Sequence, residues 1–313
     1  LSKIIDAMKK AKMELDGNKK GGKICKTPDS PISEAVPKAV VGKGAGENAG
    51  QLSPVGGNCG GGALGAIETR STGPRRGEPL LAMDPNLVTL SKQKSVEAEQ
   101  FRMLKTKLLF PARGTPPQSI MVTSALPGEG KTFVACNLAV TMAQSLDQYV
   151  LLMDCDMRFP NVHSCFGFER PPGLCEYLNG TSPLSSFLLK TEVDKLTILP
   201  GGKPPENPSE LLSSGLMADL FQEIKGRYRD RYIIVDSPPP QFTAESRALA
   251  RRVDGIVLVV KRGIAPREQV LQLLDILGKE KVLGVVFNYF YLEDMTGYRY
   301  AHYGRYGHGR SKG

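Results

Sequence analysis

The segment Ala125-Leu-Pro-Gly-Glu-Gly130-Lys131-Thr132 combines residue types that together suit a polyphosphate. Glycines let successive backbone N–H groups curl around an anion, a lysine neutralises the outer phosphates, and a threonine hydroxyl offers an oxygen to Mg²⁺. Pro127, Gly128, Glu129, Gly130, Lys131, Thr132 and Phe133 therefore form a candidate binding run for ATP, with Ala125 where such loops usually open on Gly. Two later segments end in carboxylates. In Val150-Leu-Leu-Met-Asp154-Cys155-Asp156-Met157-Arg158, the i, i+2 spacing points both aspartates towards the phosphate loop. One can approach an attacking hydroxyl while the other helps to hold the metal's water shell. In Tyr232-Ile-Ile-Val235-Asp236-Ser237-Pro238-Pro239, an apolar run ends in an acid suited to Mg²⁺, and Pro238 enforces the exit from the strand. Each acidic segment alone could be a strand-end turn. Three motifs in this order are far more specific.

Tyrosines make the fourth cluster. Six of the ten follow residue 288: Tyr289, Tyr291, Tyr298, Tyr300, Tyr303 and Tyr306. The last four lie among Gly, Arg and His, with too little apolar surface nearby to pack as a core. They read either as phosphoacceptors or as a stacking surface for single-stranded RNA, and a phosphate loop on the same chain favours acceptors.

The elements that must position these residues are legible. Short β-branched runs at Ile120–Thr123, Val150–Met153, Leu196–Leu199, Tyr232–Val235, Ile256–Val260 and Val282–Phe287 alternate with helix-length segments. Continuously apolar strands separated by helices predict an α/β fold: a mostly parallel, twisted sheet with helices on both faces and ligands at the carboxyl ends of strands. The phosphate loop lies between the first of these strands and a helical run over Phe133–Leu146. A further helical pattern starts near Lys92 and passes through Val96, Phe101, Leu104 and Leu108.

Ahead of this domain, residues 1–15 read as a short amphipathic helix and residues 16–84 as a flexible, disordered linker. Fifteen of the chain's 34 glycines fall between Gly17 and Pro79. A G-x-G-x-x-G match at Gly60, Gly62 and Gly65 has no strand before it and is ascribed to that glycine richness. The domain then runs over 85–288 and the tyrosine-rich tail over 289–313.

Composition narrows the class. The net charge of +9 is dispersed, with eight Lys against three acids in residues 1–26, so no specific nucleic-acid surface is expected. No apolar string approaches the roughly 18 residues of a membrane helix. Six cysteines without C-x-x-C spacing point to reduced thiols rather than to a disulfide framework or zinc site.

With these motifs assembled, the sequence resembles the bacterial tyrosine kinases of capsule and exopolysaccharide synthesis, which are P-loop NTPase-fold proteins unrelated to eukaryotic protein kinases. The resemblance covers about residues 85–313. It rests on SALPGEGKT, DCDMR, IIVDSPP, the run LPGGKPPENPSELL at 199–212, and the terminal tyrosines. It implies an ATP- and Mg²⁺-dependent tyrosine autokinase in which Lys131 and Thr132 hold phosphates and metal. Asp154 would accept the proton of the attacking tyrosine, Asp156 and Asp236 would organise the metal, and Asn288 would contact adenine. Tyr291, Tyr298, Tyr300, Tyr303 and Tyr306 would be the acceptors. Glu99-x-x-Arg102-x-x-Lys105 resembles the family's ExxRxxR subunit-contact motif, with Lys105 replacing the final Arg, and implies a ring-like homo-oligomer. The resemblance further implies a cytoplasmic protein recruited to the membrane's inner face by a membrane-embedded polysaccharide chain-length regulator, and a tyrosine phosphatase as a partner. The competing reading is a P-loop ATPase acting as a positioning or partner-binding switch. Such proteins carry a second lysine five residues before the invariant one, where this chain has Leu126.

Overall fold

The structure is a computed structural model that describes residues 81–289 apart from 112–113, 181, 228–229 and 241–243. The helix expected over 1–15, the linker from 16 to 80 and the acceptor tyrosines lie outside the described residues.

Seven strands form one sheet in the order β3-β4-β2-β5-β1-β6-β7. They are β1 (Ser119–Ser124), β2 (Tyr149–Asp154), β3 (Leu189–Lys190), β4 (Leu196–Leu199), β5 (Arg231–Asp236), β6 (Gly255–Lys261) and β7 (Val282–Asn288). All neighbouring pairs are parallel except β3 with β4. The apolar runs at 120, 150, 196, 232, 256 and 282 are these strands, most extended by a residue at one or both ends. β3 left no trace in the sequence, because two residues are too few to set up an alternation.

The helices are α1 (Val88–Ser91), α2 (Val96–Leu109), α3 (Lys131–Ala143), α4 (Val162–Cys165), α5 (Leu174–Leu178), α6 (Pro208–Ser213), α7 (Gly215–Arg227), α8 (Ala244–Arg252) and α9 (Arg267–Leu277). The connection β1–α3–β2 crosses β5 in one direction along the sheet, whereas β5–α8–β6 and β6–α9–β7 run the other way. Right-handed crossovers in opposite directions put their helices on opposite faces. The reversal occurs at the adjacent strands β1 and β5, so the crevice beyond their carboxyl ends is where a ligand is expected.

Helix α3 carries the loop's lysine and is the most deeply buried helix. From Val134 to Ala143 its residues are at most 3% exposed. After Lys131 it has no charged residue, as a helix covered on both sides must. The sheet covers one side and α2 the other, where Phe101 meets Phe133 edge-on at 5.7 Å. Helix α2 begins at Val96 rather than near Lys92, since the Ser95 side chain caps it by accepting the Ala98 N–H. Helix α3 ends at Ala143, three residues before the expected Leu146.

The ordered domain also takes in Leu81 to Asp84, four residues assigned to the linker on sequence. Leu81 N–H donates to Gly167 and Asp84 N–H to Cys165, both at 3.0 Å. Asn137 of α3 then holds α1: its Oδ1 accepts the Thr89 N–H and hydroxyl, and its Nδ2 donates to Asn86. The four described cysteines are free and buried, and burial pushes the Cys155 thiol well up.

At the opposite end of the sheet, Asp254 ties β6 to β1. Its Oδ2 accepts the Ser119 N–H at 2.8 Å and hydroxyl at 2.9 Å, and its Oδ1 pairs with Lys225 at 2.7 Å. Burial works to raise this carboxyl, but Lys225 and Ser119 outweigh it and hold it below the usual value. A depressed folded value makes the contribution fully present above the unfolded value near ~3.9, and it fades as pH falls through the folded one. Asp254→Asn is expected to cost about 1 kcal/mol at pH 7, discounted for solvent screening of a partly exposed pair. Urea unfolding at pH 7, 5 and 3 should show the gap from wild type closing at the acid end.

Candidate functional site

The phosphate-loop candidate, residues 125–130, spans from the end of β1 to the first turn of α3. Gly128 and Gly130 have φ of 76° and 89°, left-handed values that glycine adopts without a steric penalty. At Gly130 a Cβ would also overlap the Asn288 side-chain amide. Glu129, expected among the nucleotide contacts, is completely buried. Its Oε2 accepts the Leu126 N–H at 2.7 Å and its Oε1 the Lys261 N–H at 3.0 Å, so the side chain staples the loop to β6. Only its backbone remains for a ligand. Glu129→Gln would aim an amide donor at one of those N–H groups. It should destabilise the protein by about 1–3 kcal/mol and weaken ATP binding by roughly tenfold, about 1.4 kcal/mol. Thermal melts and calorimetric titration check both.

Lys131 and Thr132 open α3 and face two of the predicted acids. Lys131 Nζ lies 2.8 Å from Asp156 Oδ2, and the Thr132 hydroxyl donates to Asp236 Oδ2 at 2.6 Å. Burial disfavours the charged Lys131, but Asp236 and Asp156 more than compensate, so its pKa is raised and the ammonium keeps its proton. The ring of Phe133 packs against Phe101, leaving only the Phe133 backbone on the loop side.

Parallel pairing of β2 with β5 sets Asp154 directly beside Asp236. Burial lifts Asp236 to about 6 against the pull of Lys131 and the Thr132 hydroxyl. Burial and then Asp236 push Asp154 well above the ordinary carboxylate range. Two acids in register at a dry strand end are an unfavourable arrangement until a cation joins them. Asp236 Oδ1 is buried and makes no hydrogen bond.

The i, i+2 argument for Asp154 and Asp156 needs amending. The strand ends at Asp154, so the two side chains do not share a strand face. Asp154 accepts the N–H groups of Asn161 at 2.9 Å, Val162 at 3.0 Å and Asp156 at 3.2 Å, anchoring the loop that follows. Asp156 instead reaches Lys131 and accepts the Phe159 N–H at 3.3 Å. Gly201, from the LPGG run, passes so close to Asp154 and Pro160 that a side chain there would collide with Pro160.

Asn288 was expected at adenine. Its Nδ2 donates to the Glu129 carbonyl at 2.9 Å and its Oδ1 accepts the Tyr289 N–H at 3.0 Å, which ties the end of β7 to the phosphate loop. Tyr289 has φ of 57°, and Lys261 Nζ lies 4.1 Å from its ring centroid. Of the residues expected at a subunit contact, Glu99 and Arg102 pair with each other at 2.7 Å on the exposed face of α2. Lys105, one turn on, donates to Ser145 at 3.1 Å within the same subunit. The sequence reading missed Glu245, which is buried and holds Arg158 and Ser209. No spacing rule connects positions so far apart in the chain.

A glycine-bent loop at a helix N-terminus, a lysine and threonine at that terminus, and acids at neighbouring strand ends define a P-loop nucleotide-binding α/β protein. A family profile described as "AAA domain" matches residues 118–279. The chain is 36% identical over 227 residues to tyrosine-protein kinase YwqD of Bacillus subtilis, spanning 72% of this chain and 92% of that protein. Over 211 residues it is 32% identical to the Staphylococcus aureus putative tyrosine-protein kinase CapB, spanning 67% and 91%. Against Escherichia coli tyrosine-protein kinase etk it is 33% identical over 205 residues, covering 64% of this chain and 28% of that longer one. The solved kinase domain of Escherichia coli tyrosine kinase ETK superposes with a TM-score of 0.61 at 29% identity, over 71% of this chain and 84% of that domain. The chimerical protein CapA2B2 superposes with 0.60 at 30%, over 67% and 93%. The chain belongs to the bacterial tyrosine-protein kinases.

Proposed function

We propose that the chain is an ATP- and Mg²⁺-dependent tyrosine autokinase that phosphorylates Tyr291, Tyr298, Tyr300, Tyr303 and Tyr306 and so regulates exopolysaccharide synthesis or export. The observation that carries this reading is the double pairing at the strand ends, Lys131 with Asp156 and Thr132 with Asp236, beside the unpartnered Asp236 Oδ1. That orphaned oxygen and the Thr132 hydroxyl fit Mg²⁺, which takes one or two protein oxygens and leaves the rest of its sphere to phosphates and water. Once bound, the ion would neutralise charge on the β- and γ-phosphates.

The chain's own groups do the rest. Loop N–H groups and the α3 N-terminus orient the phosphates, and Lys131 neutralises the γ-phosphate as charge shifts. A phenol holds its proton with a pKa near ~10. Asp154 accepts that proton, and its raised pKa makes the transfer less uphill than to an ordinary carboxylate. The switch-ATPase reading is less well supported, since Leu126 stands where that class has its second lysine and its N–H is taken by Glu129.

Partners follow from family membership. We take Glu99 and Arg102 as the exposed part of a ring-forming contact and a membrane-embedded chain-length regulator as the recruiting partner, with a tyrosine phosphatase reversing the modification. Among the described residues no helix is long and apolar enough to cross a membrane. Incubation with γ-labelled ATP should give phosphotyrosine with Mg²⁺ and none with EDTA. Label that survives chelation, or none in either condition, would overturn the proposal.

A further inference from the structure

Arg158 is the last residue of the DCDMR segment, two positions beyond the aspartate that pairs with Lys131. One edge of its guanidinium is fixed: Nε and Nη2 donate to Glu245 Oε1 at 3.2 and 2.9 Å. The Ser209 hydroxyl donates to the same oxygen at 2.9 Å. The Glu245 side chain is 1% exposed and that of Arg158 is 46% exposed. Phe159, next in the chain, is 81% exposed.

The plain reading is an ion pair that ties α8 and α6 to the loop after β2. Two details go beyond it. Three donors crowd one Glu245 oxygen while Oε2 stays buried without a partner, which is a wasteful arrangement if its purpose is cohesion alone. Burying a carboxylate costs several kcal/mol before any pairing is counted, yet here its chief partner is a half-exposed arginine. The arrangement fits a carboxylate that aims an arginine. The opposite edge of that guanidinium, at Nη1, makes no hydrogen bond among the described residues, and the next side chain in the sequence is an exposed aromatic ring.

A planar fork of N–H donors in open solvent matches a carboxylate or phosphate oxygen pair. We propose that Arg158, positioned by Glu245 and assisted by Phe159, selects acceptor tyrosines that have an anionic group two or three residues downstream. This rests on the kinase reading of the same site. The C-terminal sequence contains both sources of such a group. Tyr291 is followed by Glu293 and Asp294, and no acid occurs after Asp294. Tyr298, Tyr300, Tyr303 and Tyr306 are spaced two, three and three apart. Phosphate on one therefore gives the preceding tyrosine its downstream anion, and modification would spread from Tyr306 back to Tyr298.

The test compares synthetic peptides as substrates of the full chain with Mg·ATP. One pair spans 287–297 with Glu293 and Asp294 intact or changed to Gln and Asn. The second spans 297–309 with Tyr306 free or phosphorylated. In each pair the anionic member should show about tenfold higher kcat/KM, mostly through KM, and the two pairs separate carboxylate from phosphate. Arg158→Gln should bring both ratios close to one and Arg158→Lys should restore part of the preference, whereas a merely structural arginine would lower all four rates together. Phe159→Ala tests the neighbouring ring without touching the ion pair, and should raise KM for all four. Equal rates for the paired peptides in the wild-type chain would overturn the selection while leaving the kinase reading intact. Failure to phosphorylate any peptide or the tail would remove both.

Discussion

Lys131→Met is expected to reduce tyrosine phosphorylation by about 10²–10³-fold or more, on the scale of deleting one preorganised charge from a transition state. The substitution removes the cation that pairs with Asp156 and that the proposed reaction assigns to the γ-phosphate. Because the Asp156 side chain is 4% exposed and pairs with Lys131 at 2.8 Å, a second effect follows in the nucleotide-free protein. An unpaired buried carboxylate costs about 3–5 kcal/mol unless it takes up a proton. The variant's melting temperature should therefore fall below that of the wild type in the absence of nucleotide. Transfer and melting assays on the same preparation separate the catalytic effect from the structural one. Unchanged phosphorylation in a folded Lys131→Met variant would remove the phosphate loop from the reaction.

Asp154→Asn should lower the rate of transfer by about 10²–10⁴-fold, the span assigned to general bases, while ATP affinity changes by threefold at most. The amide preserves shape and can still accept from Asn161 and Val162 through its oxygen, losing only the longer 3.2 Å acceptance from the Asp156 N–H, towards which its NH2 would turn. It cannot take a phenol's proton. Single-turnover kinetics with saturating ATP measure the step directly, and calorimetry measures affinity. A variant that binds and transfers normally would leave Asp154 as an anchor of the 156–162 loop and nothing more. Asp154→Ala would be less informative, because it also strips three backbone N–H groups of their acceptor.

The parallel sheet was legible because every central strand is a continuous apolar run, as burial on both faces requires. The loop at 125–132 and the acids at 154, 156 and 236 were legible because their chemistry is written in adjacent residues. Glu129 was not. Its place in the loop suggested ligand contact, and only the three-dimensional course of β6 shows a staple to Lys261. The contact of Lys105 with Ser145 was hidden for a related reason: helical spacing puts Lys105 in line with Glu99 and Arg102, and only the course of the loop after α3 brings Ser145 within reach. Arg158 stood inside a recognised motif, yet its partner Glu245 lies 87 positions away and could not be paired with it from one sequence. Local spacing identifies groups that act on a common ligand, whereas contacts between distant segments depend on the crossovers.

The most direct measurement is a residue-level map of phosphate after the full chain has been incubated with Mg·ATP, made alongside a chain ending at residue 290. The account predicts phosphotyrosine confined to Tyr291, Tyr298, Tyr300, Tyr303 and Tyr306, and an unmodified truncated chain that still binds ATP. Phosphate absent from those five tyrosines, or equally abundant on the truncated chain, would contradict it.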